Sequence, residues 1–297
     1  FQGGALERLV DPTQLRRPCA APASLEALAD AAPASDLEHY VALDADQGAV
    51  HTQRHLAPST AQMSMQERAT LAWLMMDREI QQNEAYRGAG STASVLLLHS
   101  LDVPTAPWYA SEYLAVTTVQ LGDTRLVLCD AETGEAIPLT RLHHPDDPIE
   151  SDRLSRQGAG VLTDSFGESR FLGTLANTRS FGDTQAKRYG MTAEPEVQTH
   201  ILQGSRFAFI AGFSDGIGDV MTDQELVDEC RYASHPQQAA ERIMKYAEDL
   251  GAEDNATILC IPLRGWGAIR GEDRTALQRR DRRLNTDIYR NRRNLCL

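Results

Sequence analysis

An α+β fold is predicted by three observations. Strand-like and helical runs fall in separate blocks, the regular strand-helix alternation of a parallel doubly wound sheet is missing, and neither a GxGxxG nor a GxxxxGKS/T signature is present. The expected architecture is an antiparallel β-sandwich flanked by helices. Its clearest sign is Phe207-Ala208-Phe209-Ile210-Ala211, a continuous apolar run of the kind buried in a sandwich core. With 297 residues, 42% hydrophobic and 24% charged, the chain is long enough to bury a full core.

Taken in order, Phe1-Gln2-Gly3 reads equally as the end of a cleavable tag or as native sequence, and a short helix is expected from Gly4 to Leu15. Pro18 to Ser35 holds eight alanines between Ala20 and Ala34 and reads as a linker or insertion. Tyr40 to Leu43 suits a short strand that stops at the acidic turn Asp44-Ala45-Asp46-Gln47-Gly48. Ser64-Met65-Gln66-Glu67 forms a capping box. Behind it Met65, Ala69, Ala72, Met76 and Ile80 recur at helical spacing on a helix that also carries Asp77.

The period then changes. Ala93 to Leu98, Tyr113 to Leu121 and Leu126 to Cys129 are predicted strands, the last two joined as a hairpin. Thr222 and Glu225 cap a further helix. Pro236 opens the next one, with Ala240, Ile243, Met244 and Ala247 as its inner face and Gly251 as its stop. Ala256 to Ile261 is the final strand. The expected division is an N-terminal segment over 1–35, the sandwich domain over 36–264 and a basic tail over 265–297.

The net charge of −13 argues against a nucleic-acid surface. The charge is uneven, since Ala268 to Leu297 holds nine arginines against four acidic residues. Such a tail can contact an acidic partner or an anionic membrane surface, but a helix lying on its own acidic domain is the simpler expectation. No apolar run approaches the roughly 20 residues of a membrane-spanning helix, and no secretory leader is visible. The five cysteines, Cys19, Cys129, Cys230, Cys260 and Cys296, are odd in number and widely spaced, as suits reduced thiols in an intracellular protein. Cys129 and Cys260 read as small buried hydrophobes. None has an arginine six residues later, so a Cys-x5-Arg phosphatase loop is excluded.

Four aspartates lie where a strand ends and the chain turns: Asp44, Asp123 in Gly122-Asp123-Thr124-Arg125, Asp215 in Ser214-Asp215-Gly216, and Asp254 in Asp254-Asn255-Ala256-Thr257. Any one of them alone is an ordinary turn residue. Converging strand ends would make an oxygen-rich pocket selective for Mg2+ or Mn2+, which Asp219 could join. The pair His143-His144, in a polar stretch before Pro145, reads as exposed.

Gly88-Ala89-Gly90-Ser91-Thr92-Ala93, Gly122-Asp123-Thr124-Arg125, Leu175-Ala176-Asn177-Thr178-Arg179-Ser180-Phe181-Gly182-Asp183, Ser214-Asp215-Gly216 and Asp254-Asn255-Ala256-Thr257 resemble, in order, five successive motifs of the type 2C metal-dependent serine/threonine phosphatases. Ala193 to Val197 and Asp219 to Glu225 extend the resemblance, which covers His39 to Pro262. It implies a β-sandwich with two metal ions at one end, and a third held more weakly. Asp44 would bridge the two ions, with the Ala45 carbonyl, Asp215 and Asp254 as further ligands and Asp123 and Asp219 on the third. Gly216, Asn255, Arg179 and Asp183 would be supporting or structural.

The chain departs from the family in two places. Ala45, Asp46 and Gln47 stand where the family's Asp-Gly-His-Gly-Gly loop has Gly, His and Gly, so that Asp46 occupies the place of the family's general acid. The family's phosphate-binding Arg segment has no match between Phe1 and Asp36. The resemblance implies hydrolysis of phosphoserine and phosphothreonine in proteins, in the cytoplasm or the mitochondrial matrix. A catalytically silent relative serving as a binding module and a hydrolase of small phosphorylated molecules are the alternatives.

Overall fold

The computed structural model describes residues 40–42, 63–86, 88–159, 161–163 and 169–295, with side chains described except in 40–42, 161–163 and 286–295. The expected helix near Gly4, the Pro18 to Ser35 segment and the Asp44 to Gly48 loop lie outside these residues. The chain divides into two compact units.

The first unit contains residues 1–106, 113–123 and 142–202. Its main sheet has the order β1 (Tyr40–Ala42), β10 (Glu196–Gln203), β4 (Tyr113–Leu121), β3 (Ala93–Ser100). β1 runs parallel to β10, and β3 pairs antiparallel with β4 from Ala93↔Leu121 to Ser100↔Leu114. Helix α1 (Met65–Gln82) starts at the expected capping box, in which Ser64 Oγ accepts from the Glu67 amide at 3.2 Å and the Glu67 carboxylate accepts from the Ser64 amide at 2.7 Å. Its buried face, Ala69, Ala72 and Trp73, packs with Val119, Leu121, Phe181 and Ala193. Two short pairs complete the unit's strands: β2 (Gly90–Ser91) with β9 (Phe181–Gly182), and β7 (Val161–Thr163) with β8 (Ser169–Phe171). Helix α2 (Pro148–Arg156) begins at an Asp147 cap with proline in its first turn, and α3 (Thr184–Lys187) follows β9.

The second unit contains residues 107–112, 124–141 and 203–297. Its sheet has the order β12 (Ile258–Pro262), β11 (Phe207–Phe213), β5 (Arg125–Asp130), β6 (Ala136–Pro138), all antiparallel. Apart from Gly212, every residue of β11 is buried, which explains its unbroken apolar sequence. Around the sheet lie α4 (Asp215–Gly218), α5 (Asp223–Cys230) behind the Thr222/Glu225 capping box, α6 (Pro236–Asp249) and α7 (Ala276–Leu295). The core joins Phe209, Phe213, Ile217 and Leu226 with Ile243 and Tyr246 of α6.

Three expectations are corrected. The strands β4 and β5 do not form a hairpin: they belong to different sheets, and β4 pairs with β3 and β10 while β5 pairs with β11 and β6. Both strands are almost wholly buried, so neither shows the alternation that marks a half-exposed hairpin arm, and a short turn alone does not specify pairing. The inner face of α6 is Ala239, Ile243, Tyr246 and Ala247, with Ala240 and Met244 only partly covered. The last strand starts at Ile258, because the Thr257 amide is used by Ser214 Oγ. Cys129 is buried as expected, and Cys260 is half-buried.

The basic tail lies on its own unit. Arg279 binds Glu229 and Asp273, Arg282 binds Glu225, and Arg283 binds Glu229. No helix among the described residues is long and apolar enough to cross a membrane.

Candidate metal centre

In the second unit, two acidic turns are tied together. The Ser214 amide donates to the Thr257 carbonyl at 3.1 Å, and the Thr257 amide returns to Ser214 Oγ at 3.0 Å. These bonds dock the end of β11 onto the start of β12. Gly216 is buried against Asn255, whose carbonyl oxygen would overlap any β-carbon at that position. Asp215 and Asp254 therefore lie on adjoining turns. Asp215 Oδ1 accepts from the Gly216 amide at 2.8 Å, and Asp254 Oδ1 accepts from the Asn255 amide at 2.7 Å. Each carboxylate is thus held by the backbone of its own turn, and both side chains are exposed. Asp219 ends α4, its amide donating to the Asp215 carbonyl at 2.8 Å.

The donor chemistry fits a hard divalent cation: two carboxylates on adjoining turns, each oriented by its own backbone, with oxygen atoms available. Among the described residues no group of three or more metal-ligating side chains is formed. Asp44, Ala45 and Asp46 lie outside the described residues.

Asp123 belongs to the first unit. Its Oδ2 accepts from Asn177 Nδ2 at 2.9 Å. The preceding Gly122 has φ +105°, a conformation that favours glycine, and Thr92 occupies the space a side chain would need. The Gly122 amide donates to His143 Nδ1 at 3.0 Å, and the His143 amide donates to the Gly122 carbonyl, also at 3.0 Å. His143 is therefore buried, contrary to the expectation of an exposed pair; His144 stays partly exposed beside Asp146. Two adjacent histidines in polar sequence give no signal that separates these outcomes.

Arg179 binds Glu150 through Nε at 3.0 Å and Nη2 at 2.5 Å, and Arg153 reaches the other oxygen at 2.9 Å. Burial acts to raise the Glu150 pKa, but the Arg179 hydrogen bond, followed by those from Thr178 and Arg153, holds it at about 2 against an ordinary 4.5. Asp183 sits at φ 43°, with its amide on the Ala89 carbonyl at 3.0 Å and Oδ2 accepting from Ser180 Oγ at 2.7 Å. It joins the Gly88 to Ala93 motif to the Leu175 to Asp183 motif. Asp77, nearly buried on α1, accepts from the Gly182 amide at 2.8 Å and pairs with Lys187 at 3.1 Å. Its importance was not legible in sequence, where it reads only as a helical acid. Glu150 was missed for the same reason.

The elements define an α+β class of domain in which two acidic turns adjoin at the strand ends of one sheet. The Protein phosphatase 2C family model matches residues 9–256, so the chain belongs to that family. The family is metal-dependent, generally on Mg2+ or Mn2+. Protein phosphatase 2C homolog 4 of Schizosaccharomyces pombe is 44% identical over 161 residues, covering 54% of this chain and 41% of that protein. The mitochondrial protein phosphatase 1K of Xenopus laevis is 32% identical over 178 residues, covering 60% and 44%. The chain thus spans about half the length of the curated relatives it matches. A Toxoplasma gondii phosphatase structure shares the fold, with a TM-score of 0.52 at 21% identity over 67% of this chain and 74% of that one.

Proposed function

We propose that this chain is a Mg2+- or Mn2+-dependent hydrolase of phosphoserine and phosphothreonine in proteins. The observation that carries the reading is the apposition of the Asp215 and Asp254 turns through Gly216 and Asn255. Family membership supplies the context.

In this reading Asp215 and Asp254 hold metal through their carboxylates. Asp44 and the Ala45 carbonyl would be further ligands, and Asp123 and Asp219 would serve a weaker third ion. When bound, divalent ions would supply a water of lowered pKa and neutralise phosphate oxygens, so no protein nucleophile would be required. The chain's own residues orient that assembly. Gly216 and Asn255 set the spacing of the acidic turns, Arg179 and Asp183 fix the backbone of the first unit, and Asp46 would be the residue that gives a proton to the leaving alkoxide.

The substrate is a phosphorylated protein. An acidic partner would have to displace Glu225 and Glu229 from the arginines of α7. The compartment we favour is cytosol or mitochondrial matrix, the latter supported by a relative named as mitochondrial. Release of phosphate from a phosphothreonine peptide with Mn2+, abolished by chelation and faster than from a small aryl phosphate, is the expected result. Preference for the small ester would contradict the protein-substrate reading, and hydrolysis unaffected by chelation would contradict the metal reading.

A further inference from the structure

We infer that His143 is a positioning residue for Asp123, acting through the Gly122–Asp123 turn; the inference rests on the metal-hydrolase reading above. His143 is 1% exposed, and its ring and backbone are both committed to that turn. Nδ1 accepts the Gly122 N–H at 3.0 Å. The other ring nitrogen, Nε2, lies 3.5 Å from Glu196 Oε2. The His143 N–H donates to the Gly122 carbonyl at 3.0 Å, so one residue grips both ends of Gly122.

A second path leads to the same aspartate. The Thr178 N–H donates to the His143 carbonyl at 2.9 Å, and Thr178 Oγ1 lies 3.0 Å from the same oxygen. Thr178 follows Asn177, and Asn177 Nδ2 holds Asp123 Oδ2 at 2.9 Å. The backbone entering Asp123 and the carboxylate leaving it are both fixed with respect to His143. Thr178 Oγ1 also lies within hydrogen-bond distance of Glu150, which its two arginines anchor, so the far end of the path is rigid. A purely space-filling role at this buried position would be met by an aliphatic side chain, without the cost of burying a polar ring. The convergence of two hydrogen-bonded paths on one candidate ligand is what points to positioning. Such support of a metal ligand from outside the coordination sphere commonly alters affinity by tenfold or more.

The test compares wild type, His143→Leu, Asp123→Ala, their double variant and His143→Asn, whose Oδ1 can still accept the Gly122 N–H. Mn2+ binding is followed by calorimetry and stability by thermal unfolding without metal. His143→Leu is expected to weaken the Asp123-dependent binding by about tenfold, His143→Asn to restore most of it, and His143→Leu to have no further effect on binding once Asp123 is removed. A His143→Leu protein that melts earlier but binds Mn2+ like wild type would overturn the proposal. So would an equal loss of affinity with and without Asp123. Wild type that binds no Mn2+ at all refutes the metal reading itself, and the proposal with it. If His143→Leu does not fold, hydrogen exchange in His143→Asn decides: affinity must follow protection of the Gly122 amide, and a protein in which the two separate refutes the role.

Discussion

Gly216 lies directly against the carbonyl of Asn255, leaving no room for a side chain between the turn that carries Asp215 and the turn that carries Asp254. The contact is backbone to backbone, so relief requires one of the turns to move. Gly216→Ala is expected to destabilise the protein by about 1–3 kcal/mol, as overpacking does, and to lower Mn2+-dependent phosphate release by more than the stability loss explains. Urea unfolding and turnover measured on the same preparation separate the two effects. Full activity in a destabilised variant would show that the spacing of these turns is not critical.

Glu150 makes the first unit acid-sensitive. Its folded pKa of about 2 lies below the ordinary 4.5, so its stabilising contribution is complete above about pH 4.5 and is lost as pH falls toward 2. Glu150→Gln should flatten stability across that window and cost about 1–3 kcal/mol at neutral pH, where charged hydrogen bonds are lost. Unfolding curves from pH 2 to 7 check this. Glu225, also held low by its hydrogen bonds with Thr222 and Arg282 against the opposing effect of burial, adds a contribution of the same sign that the Glu150 variant should retain.

Arg279 anchors the C-terminal helix. It is 4% exposed and sits among Asp228, Glu229 and Asp273. Removing it deprives Asp273 of its guanidinium, while Asp228 keeps Arg231 and Glu229 keeps Arg242 and Arg283, so about 1–3 kcal/mol is expected from Arg279→Ala. Arg280, which is exposed, should tolerate the same change within about 0.5 kcal/mol. Thermal unfolding of both variants tests whether α7 is part of the folded unit; equal effects would contradict it.

Local signals in the sequence translated well wherever the structure is local. Ser64 with Glu67 and Thr222 with Glu225 are both realised as capping boxes, because their bonds span only three residues. The β4–β5 hairpin failed because pairing is decided by which sheet each strand enters, and wholly buried strands carry no alternation to reveal it. The turns of Asp215 and Asp254 were legible as acidic turns. Their apposition was not, since it depends on antiparallel β11–β12 registration from Phe213↔Ile258 onward. His143 was misread as exposed because its partner Gly122 is 21 residues away, and nothing in the residues around His143 announces that contact.

The central claim is that Asp215 holds a catalytic metal. Mn2+-dependent phosphate release from a phosphothreonine peptide, paired with Mn2+ calorimetry, should be compared between wild type and Asp215→Asn, a change that keeps the side chain's shape and its Oδ1 acceptor for the Gly216 amide. The account predicts a folded Asp215→Asn protein with weakened Mn2+ binding and at least a hundredfold loss of turnover, the order of effect expected when a metal ligand is removed. An Asp215→Asn protein that binds Mn2+ and releases phosphate as wild type does would contradict it.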